Sequence, residues 1–216
     1  MIRVCWREMQ VLKDILPAGC IARGERKRLV MPRKHQYEWL ESLFIEPVQS
    51  GRDTWQLWLE TDVASYQAGS SIFFQKVSSM LHHRGMMANL SFRENLMLPF
   101  LYHANHDALE QAEQDLPQVA AFLDIEDCLD DQASIRSPYT HGLISLGRCL
   151  LQKPDIILVQ DVHVGLAPHR MRQFHTLFCE VMERLQAGIL YISTSEHDGS
   201  GMNFEDSLEL NAGSAA

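Results

Sequence analysis

Short apolar runs separated by turns mark the first third of the chain. Residues 28–31 form such a run before Pro32, and residues 55–59 alternate apolar and polar positions after a turn at 50–53. Runs of this length and alternation are typical of half-buried β-strands. Between these runs, apolar residues at helical spacing predict a helix over residues 37–45.

The middle of the chain has the spacing of helices. Ser91 and Glu94 stand in the arrangement of a capping box, directly before an apolar stretch over residues 95–102. A capping box satisfies two backbone N–H groups at a helix start, so a helix is predicted there. A further helix is predicted from residue 107 to near Pro117, and another over residues 119–123.

Strand and helix patterns alternate in the last third. A helix is predicted over residues 143–151, a strand over 156–159, a helix over 170–185 and a strand over 189–192. The run at 156–159 is apolar throughout, as in a strand that is buried on both faces. Strand, helix and strand in this order predict a parallel sheet, with the helical middle inserted as a lobe.

Composition narrows the class of protein. The chain has 216 residues, 46% of them hydrophobic, and a formal net charge of -9, with no basic tract that would favour nucleic-acid binding. Its five cysteines are scattered and form no CxxC pair. We therefore expect neither a disulfide framework nor a zinc knuckle, and a reducing cytoplasm is the expected compartment.

No apolar run is long enough to span a bilayer, and residues 1–8 lack the apolar core of a signal peptide. We therefore expect that, if the protein works at a membrane, another subunit holds it there.

Residues 152–168 resemble the Walker B and D-loop stretch of ABC transporter ATPases, in which a Pro-Asp turn leads to an apolar strand and then to a Gly-Leu-Asp-Pro turn. Four further stretches match the family's landmarks in order and spacing. They are the Gly-Glu turn at 19–25, the helix and Pro-x-x-Ser-Gly turn at 40–51, the Q-loop exit at 84–99 and the closing strand at 206–213. Residues 94–103 are similar to the lipid-trafficking (Mla-type) branch.

The resemblance implies an α/β fold, the RecA-like P-loop NTPase fold of the ABC type, over a single degenerate domain at residues 1–216. It also implies an antiparallel β lobe and an inserted helical lobe over about residues 87–137.

The P-loop of this family corresponds to residues 31–39, here called the phosphate slot. A working P-loop needs glycines whose N–H groups surround the phosphates, a lysine, and a serine or threonine for Mg²⁺. The slot contains no glycine, and Tyr37 and Glu38 replace the lysine and the hydroxyl residue. Arg33, Lys34 and His35 could form a substitute anion site, or they could be a solvated turn.

The other catalytic positions also differ from the family. The magnesium-binding aspartate is replaced by a neutral amide, and the general-base glutamate by a shorter carboxylate. In family order, the Q-loop glutamine, Walker B aspartate, general base, D-loop aspartate and switch histidine correspond to His82, Gln160, Asp161, Ala167 and Ser195. Since phosphoryl transfer depends on positioning and charge stabilisation, the combined losses predict no hydrolysis.

The signature motif corresponds to residues 136–140, where Ser137 remains and Pro138 and Tyr139 replace the two glycines. Two interpretations stay open. Ser137 could contact the ATP of a partner through the start of its helix, or it could be an ordinary helix N-cap.

The Q-loop exit is where this family docks its membrane subunit. The resemblance therefore implies a permease-docking surface formed by His82, His83, Arg84, Met86 and Met87. The histidine pairs 82–83 and 103 with 106 have no third ligand at a convincing spacing, so no metal site is expected.

Three functional hypotheses follow. In the first, the protein is a catalytically inactive subunit that needs no cofactor. It pairs with an active ABC ATPase or a second copy of itself and docks on a permease at the inner face of the plasma membrane. The similarity to the Mla-type branch implies lipids as the transported substrate. In the second, Arg33, Lys34 and Asp161 still support binding and hydrolysis of ATP with Mg²⁺. In the third, the chain is a redeployed regulatory or ligand-binding protein.

Overall fold

The computed structural model describes residues 1–11, 14–45, 57–81, 86–102, 106–135, 137–195, 202–209 and 211–212. The chain forms two compact units. The first unit comprises residues 1–77, 155–160 and 186–216, and the second comprises residues 78–154 and 161–185.

Strands dominate the first third of the chain and helices the middle, as the hydrophobic pattern predicts. The strands are β1 (Arg3–Trp6), β2 (Met9–Val11), β3 (Asp14–Leu16), β4 (Gly19–Ala22), β5 (Arg26–Val30), β6 (Leu57–Glu60), β7 (Ser65–Gln67), β8 (Val77–Leu81), β9 (Ile156–Gln160), β10 (Gly188–Ser193), β11 (Asp206–Glu209) and β12 (Asn211–Ala212). The helices are α1 (Arg33–Ile45), α2 (Ser71–Lys76), α3 (Phe92–Tyr102), α4 (His106–Leu123), α5 (Pro138–Gln152) and α6 (Pro168–Leu185).

The first unit contains both antiparallel and parallel strands. β4, β1, β6 and β7 are neighbours in that order and pair antiparallel. A small antiparallel sheet has the order β12, β3, β2. The strands β11, β5, β10 and β9 pair in parallel, which confirms the α/β class and the parallel sheet.

Two of the parallel strands, β9 and β10, are buried because most of their side chains are apolar. Every residue of β9 and of β10 is buried, which agrees with the continuous apolar runs in the sequence. Three large side chains, Trp6, Trp39 and Tyr191, are at most 1% exposed, and the rings of Trp6 and Trp39 meet edge to face at 6.5 Å.

An ion-pair network fixes the turn that enters β9. The Asp155 carboxylate is buried and contacts the Arg23 guanidinium at 3.1 Å and the Lys76 ammonium at 3.2 Å. The Asp155 N–H donates to the Lys76 carbonyl at 2.8 Å. Two cations therefore compensate the buried carboxylate, which explains why an aspartate suits this position.

The second unit is largely helical, and a glycine lets its helices approach closely. A Cβ at Gly147 of α5 would lie 2.7 Å from the Leu96 side chain of α3 and 3.3 Å from the Leu123 side chain of α4. Short 3-10 turns at Glu126–Cys128 and Ala133–Ile135 connect α4 to α5.

The expectation of a helix break near Pro117 was wrong. α4 is continuous from His106 to Leu123, with Pro117 in its interior. Its buried positions, Ala112, Leu116, Ala120 and Leu123, form one apolar stripe that passes the proline. Burial of this stripe outweighs the local cost of the lost backbone hydrogen bond.

The structure contains one disulfide, which the scattered cysteines did not predict. Cys5 on β1 lies directly opposite Cys20 on β4, and the two side chains form a disulfide. Cys128, Cys149 and Cys179 are free thiols. Opposite positions on antiparallel strands bring Cβ atoms close together, a proximity that cysteine spacing alone does not reveal.

Within the described ranges, none of the helices combines the length and apolarity needed to cross a bilayer.

Candidate functional site

The phosphate slot is the beginning of a helix. β5 ends at Val30 and α1 begins at Arg33, so only Met31 and Pro32 separate strand from helix. The Pro32 carbonyl accepts the N–H groups of His35 at 2.9 Å and Gln36 at 3.1 Å. These backbone N–H groups are used inside the helix, whereas a phosphate-binding loop directs such groups at its ligand.

A pair of glutamines occupies the end of the slot. Gln36 is completely buried, and in the correspondence that the resemblance implies it takes the place of the last glycine of a P-loop. The Gln160 side chain donates from Nε2 to Oε1 of Gln36 at 3.0 Å, and Gln36 Nε2 donates to the Met31 carbonyl at 3.0 Å. The two amides therefore join the position of the last glycine to the position of the magnesium-binding aspartate.

Neither amide of the pair is a ligand that Mg²⁺ favours. Mg²⁺ favours carboxylate and phosphate oxygens, and phosphates need a cation or several free N–H groups. Gln160 is 1% exposed and supplies only a neutral amide, which is already bonded to Gln36. The side chain of Glu38 lies outside the described part of the chain.

The proposed substitute anion site is on the surface of α1. Arg33 and Lys34 are exposed in its first turn, His35 is buried and Tyr37 is partly buried. The exposed positions agree with the solvated alternative for Arg33 and Lys34. They leave the anion-site alternative untested.

The residues that follow β9 form a tight turn. Asp161 is buried and has φ of 48°, a left-handed conformation, and its carbonyl accepts the N–H of Val164 at 3.0 Å. Gly165 has φ of 81°, which its missing Cβ permits. Ala167 is exposed immediately before α6, and its carbonyl accepts the Met171 N–H at 2.8 Å.

The switch position follows β10. Ser195 is partly buried, and its carbonyl accepts the Ser193 hydroxyl at 2.8 Å. The Ser193 carbonyl accepts the Met31 N–H at 3.0 Å, which joins the end of β10 to the start of the phosphate slot. Ser195 supplies a hydroxyl at this position and has no titratable ring.

Ser137 has the geometry of an N-cap. Its backbone is extended, with φ of -73° and ψ of 159°, and its hydroxyl accepts the Thr140 N–H at 3.4 Å. Pro138 is the first residue of α5, where a missing N–H costs nothing. The N-cap interpretation therefore agrees with the contacts of Ser137, while contact with a partner's nucleotide stays a prediction.

Tyr139 and Arg170 cover the region beside Ser137. The Arg170 guanidinium lies 4.7 Å from the centre of the Tyr139 ring. Both line a cavity of about 480 Å³ together with Ser137 and two carboxylates, Asp124 and Asp127. The cavity therefore combines one cation with two anions and does not resemble a simple phosphate site.

Only part of the predicted docking surface is described. His82, His83 and Arg84 lie outside the described residues. Met86 is partly buried, and Met87 is 42% exposed.

The sequence interpretation missed the residue that holds the Met87 backbone, which is Asn95. Asn95 is completely buried and accepts the Met87 N–H at 2.9 Å through Oδ1. Its Nδ2 donates to the carbonyls of Met87 at 3.0 Å, Ser91 at 2.9 Å and Leu90 at 3.4 Å. One side chain thus fixes the whole segment before α3.

Arg148 of α5 completes this network. Its Nε donates to the Asn95 carbonyl at 2.7 Å, and its Nη2 donates to Asn95 Oδ1 at 3.0 Å. Burial lowers the pKa of Arg148 to about 10. An arginine between the apolar positions of α5 is the sequence signal that could have indicated this network.

The predicted capping box of α3 is present. Ser91 Oγ accepts the Glu94 N–H at 3.2 Å, and a Glu94 carboxylate oxygen accepts the Ser91 N–H at 2.7 Å. This hydrogen bond from the Ser91 backbone lowers the pKa of Glu94.

The histidine pairs are mostly outside the described residues, and of them only His106 is placed, at the exposed first position of α4. In the part of the chain that the structure describes, no three His, Cys, Asp or Glu side chains are arranged to hold a metal ion.

Parallel strands with an antiparallel sheet, in the described order, define an α/β architecture. Solved structures that share it are ATP-binding cassettes of ABC transporters. The ATP-binding subunit of an ABC transporter superposes with a TM-score of 0.71 and 15% sequence identity, over 99% of this chain and 87% of that chain. A nucleotide-free ATP-binding cassette gives a TM-score of 0.66 at 14% identity, over 99% and 88%.

A third solved structure is a dimeric ATP-binding cassette in a post-hydrolysis state, bound to ADP and Pi. It superposes with a TM-score of 0.66 at 13% identity, over 99% of this chain and 95% of that chain. No protein-family model and no curated protein matches the sequence. The chain therefore has the fold of an ABC transporter ATP-binding cassette.

Proposed function

We propose that this protein is a catalytically inactive subunit of an ABC transport complex. In this role it pairs with an active ATP-binding subunit, or with a second copy of itself, and docks on a membrane permease from the cytoplasmic side. It holds neither ATP nor Mg²⁺, and it contributes surface and shape to the complex.

The buried hydrogen bond between Gln160 and Gln36 carries the proposal. It occupies, with neutral amides, the positions at which hydrolysis needs a close phosphate approach and a magnesium-binding carboxylate. Opening this slot for a nucleotide would leave buried amide groups without partners, at about 1–3 kcal/mol for each group. Nucleotide binding must therefore overcome a cost that a glycine at position 36 would not impose.

Titration calorimetry with Mg-ATP tests the loss of nucleotide binding. We expect no saturable heat at millimolar nucleotide, and no phosphate release above the buffer. The competing hypothesis of a divergent ATPase draws on the exposed Arg33 and Lys34 and on the Asp161 carboxylate. Micromolar binding, or hydrolysis that Asp161→Asn abolishes, would establish that hypothesis and overturn the proposal.

Affinity capture of the full chain from solubilised membranes tests the partner. We expect a permease, with or without an intact ABC ATPase. Met87→Asp places a charge on the predicted docking surface, and Met171→Asp is its matched control because the two methionines are 42% and 39% exposed. Loss of the permease with the first variant alone supports docking. Equal capture by both variants would contradict the predicted docking surface.

Lipid transport is the most specific part of the proposal. It is supported by the similarity of residues 94–103 to the lipid-trafficking branch. Proteoliposomes that contain the captured permease and an active ABC ATPase test it, because lipid exchange between vesicles should require this protein in addition to that ATPase and ATP. Exchange that continues at the same rate without this protein would count against the lipid role.

A further inference from the structure

A second cavity in the second unit has quite different walls from the cavity beside Ser137. Its volume is about 410 Å³, at the lower end of the range of about 300–1,000 Å³ that is typical of small-molecule sites. The end of β8, the segment at 86–88, the residues before and within the start of α5, and the turn after β9 form its walls.

The described lining is mostly aliphatic, and its polar side chains are Ser134, His141 and Ser145. None of the described residues that line the cavity is an aspartate, glutamate, lysine or arginine, and none is a phenylalanine, tyrosine or tryptophan. The apolar side chains with the greatest reach are Met80, Leu81, Met86, Val162 and Val164. Methionines adapt to irregular apolar partners because their side chains are unbranched and flexible.

Two of the polar side chains in the walls, His141 and Ser145, are already bonded within the protein. An imidazole nitrogen of His141, Nε2, lies 2.7 Å from the Ala133 carbonyl. The Ser145 hydroxyl donates to the His141 carbonyl at 3.1 Å. These bonds leave the cavity with little capacity to recognise a charged or strongly polar ligand.

Backbone hydrogen bonds hold two walls together. The Ser134 N–H donates to the Ala88 carbonyl at 3.3 Å, and the Ala133 N–H donates to the Leu90 carbonyl at 3.0 Å. The Asn95 network holds the segment from Met87 to Ser91 from the other side. The cavity is therefore preformed, with Met80 and Ser145 buried at its floor and Ala88 and Ser134 exposed at its rim.

We propose that this cavity binds the aliphatic chain of a small molecule or lipid, with any polar group of that molecule at the exposed rim. An aliphatic chain fits because the described walls are formed mainly by aliphatic side chains and include no aspartate, glutamate, lysine or arginine. This inference rests on the walls of the cavity and not on the proposed transport role, although Met86 belongs to both the cavity and the predicted docking surface.

Binding of cis-parinaric acid, a fluorescent fatty acid, tests the inference in the full-length protein. We expect saturable binding with one molecule per chain. Ala88→Trp should weaken it at least tenfold, because the indole would cover the rim. Ala121→Trp is the matched control, since Ala121 is an exposed alanine on α4 that does not line the cavity. Ser145→Leu, which reduces the floor of the cavity, should also weaken binding.

A second arm of the experiment uses vesicles that carry a fluorescent phospholipid. It distinguishes a free fatty acid from a phospholipid as the source of the aliphatic chain. Binding to free fatty acid alone, or extraction of the phospholipid that Ala88→Trp prevents, supports the proposal and identifies the source. An absence of saturable binding to either probe overturns it, as does equal weakening by Ala88→Trp and Ala121→Trp. A permease lost with Ala88→Trp while the probe stays bound would show that a protein partner uses this surface instead.

Discussion

The phosphate slot and the Asn95–Arg148 network are both buried and polar, and they differ in what their polar groups join. In the slot, Gln160 donates to Gln36, and Gln36 donates to the Met31 carbonyl. These hydrogen bonds join only three residues. In the network, Arg148 reaches from α5 to Asn95 of α3, which in turn holds the backbone of three residues between 87 and 91.

The difference lies in what each set of buried polar groups stabilises. Two neutral amides stabilise a buried site with little demand for charge compensation. A partly buried guanidinium is more costly to desolvate, and here its hydrogen bonds position a segment that ends in the exposed Met87. Gln36 and Gln160 of the slot are part of the core, whereas the network positions the exposed Met87.

The largest effect is expected from Arg148→Met. The variant removes the two donors to Asn95 and should lower the free energy of unfolding by about 3 kcal/mol, since hydrogen bonds from charged groups are worth about 1.5–3 kcal/mol each. Urea denaturation measures the change. Arg148→Lys, which keeps the charge and only part of the bonding, should lose less. A stability within about 0.5 kcal/mol of wild type would show that the network is dispensable.

A double-mutant cycle with Gln36→Leu and Gln160→Leu tests the hydrogen bond in the phosphate slot. Gln160→Leu removes the donor to Gln36 Oε1, and each single variant should cost about 2 kcal/mol because a buried amide atom loses its partner. The double variant should cost less than the sum of the two, since replacing both amides leaves neither of them unsatisfied and only the Met31 carbonyl loses its Gln36 donor. Additive costs in urea denaturation would mean that the two amides do not stabilise each other.

Most of the fold could be predicted from local patterns. The continuous apolar runs predicted β9 and β10, and Ser91 with Glu94 predicted the start of α3. These elements could be predicted because residues close in the chain determine them. The break at Pro117 was predicted from local propensity alone, and the buried stripe of α4 overrides that propensity.

The closed slot and the disulfide could not be predicted in the same way. The partners of Gln36 and Cys5 are 124 and 15 residues away, and they meet only when strands come into register. The missing glycines showed that the slot is unusual, but not which side chain fills it. Asn95 reads in the sequence as one polar residue in an apolar stretch, and its role depends on Arg148, 53 residues further on.

A smaller effect is expected at the capping box. Ser91→Ala removes the acceptor for the Glu94 N–H and should cost about 1 kcal/mol. The pKa of Glu94 is lowered in the folded protein, so its ionised form stabilises the fold above the unfolded pKa of 4.5. That contribution should vanish as the pH falls through the folded pKa. Thermal unfolding between pH 3 and 7 should therefore show a flatter acid limb for Glu94→Gln than for wild type.

The smallest effect is expected in the reactivity of a thiol beside the network, which can be measured without changing the stability of the protein. Cys149 is completely buried next to Arg148, and burial raises the pKa of its thiol to about 11. Only about one Cys149 thiol in a thousand is then ionised at pH 8. In the native protein we expect 5,5′-dithiobis(2-nitrobenzoic acid) to modify the partly buried Cys179 and to leave the buried Cys128 and Cys149 unmodified.

Unfolding without reductant should raise the count to three thiols, and reduction should raise it to five by opening Cys5–Cys20. The fold favours the neutral thiol of Cys149, so this stabilisation is complete below pH 9 and is lost as the pH rises towards 11. Arg148→Met should expose Cys149 to the reagent if the network holds α5 against α3. Unchanged reactivity in that variant, with a lowered unfolding free energy, would show that Arg148 stabilises the unit without controlling its local opening.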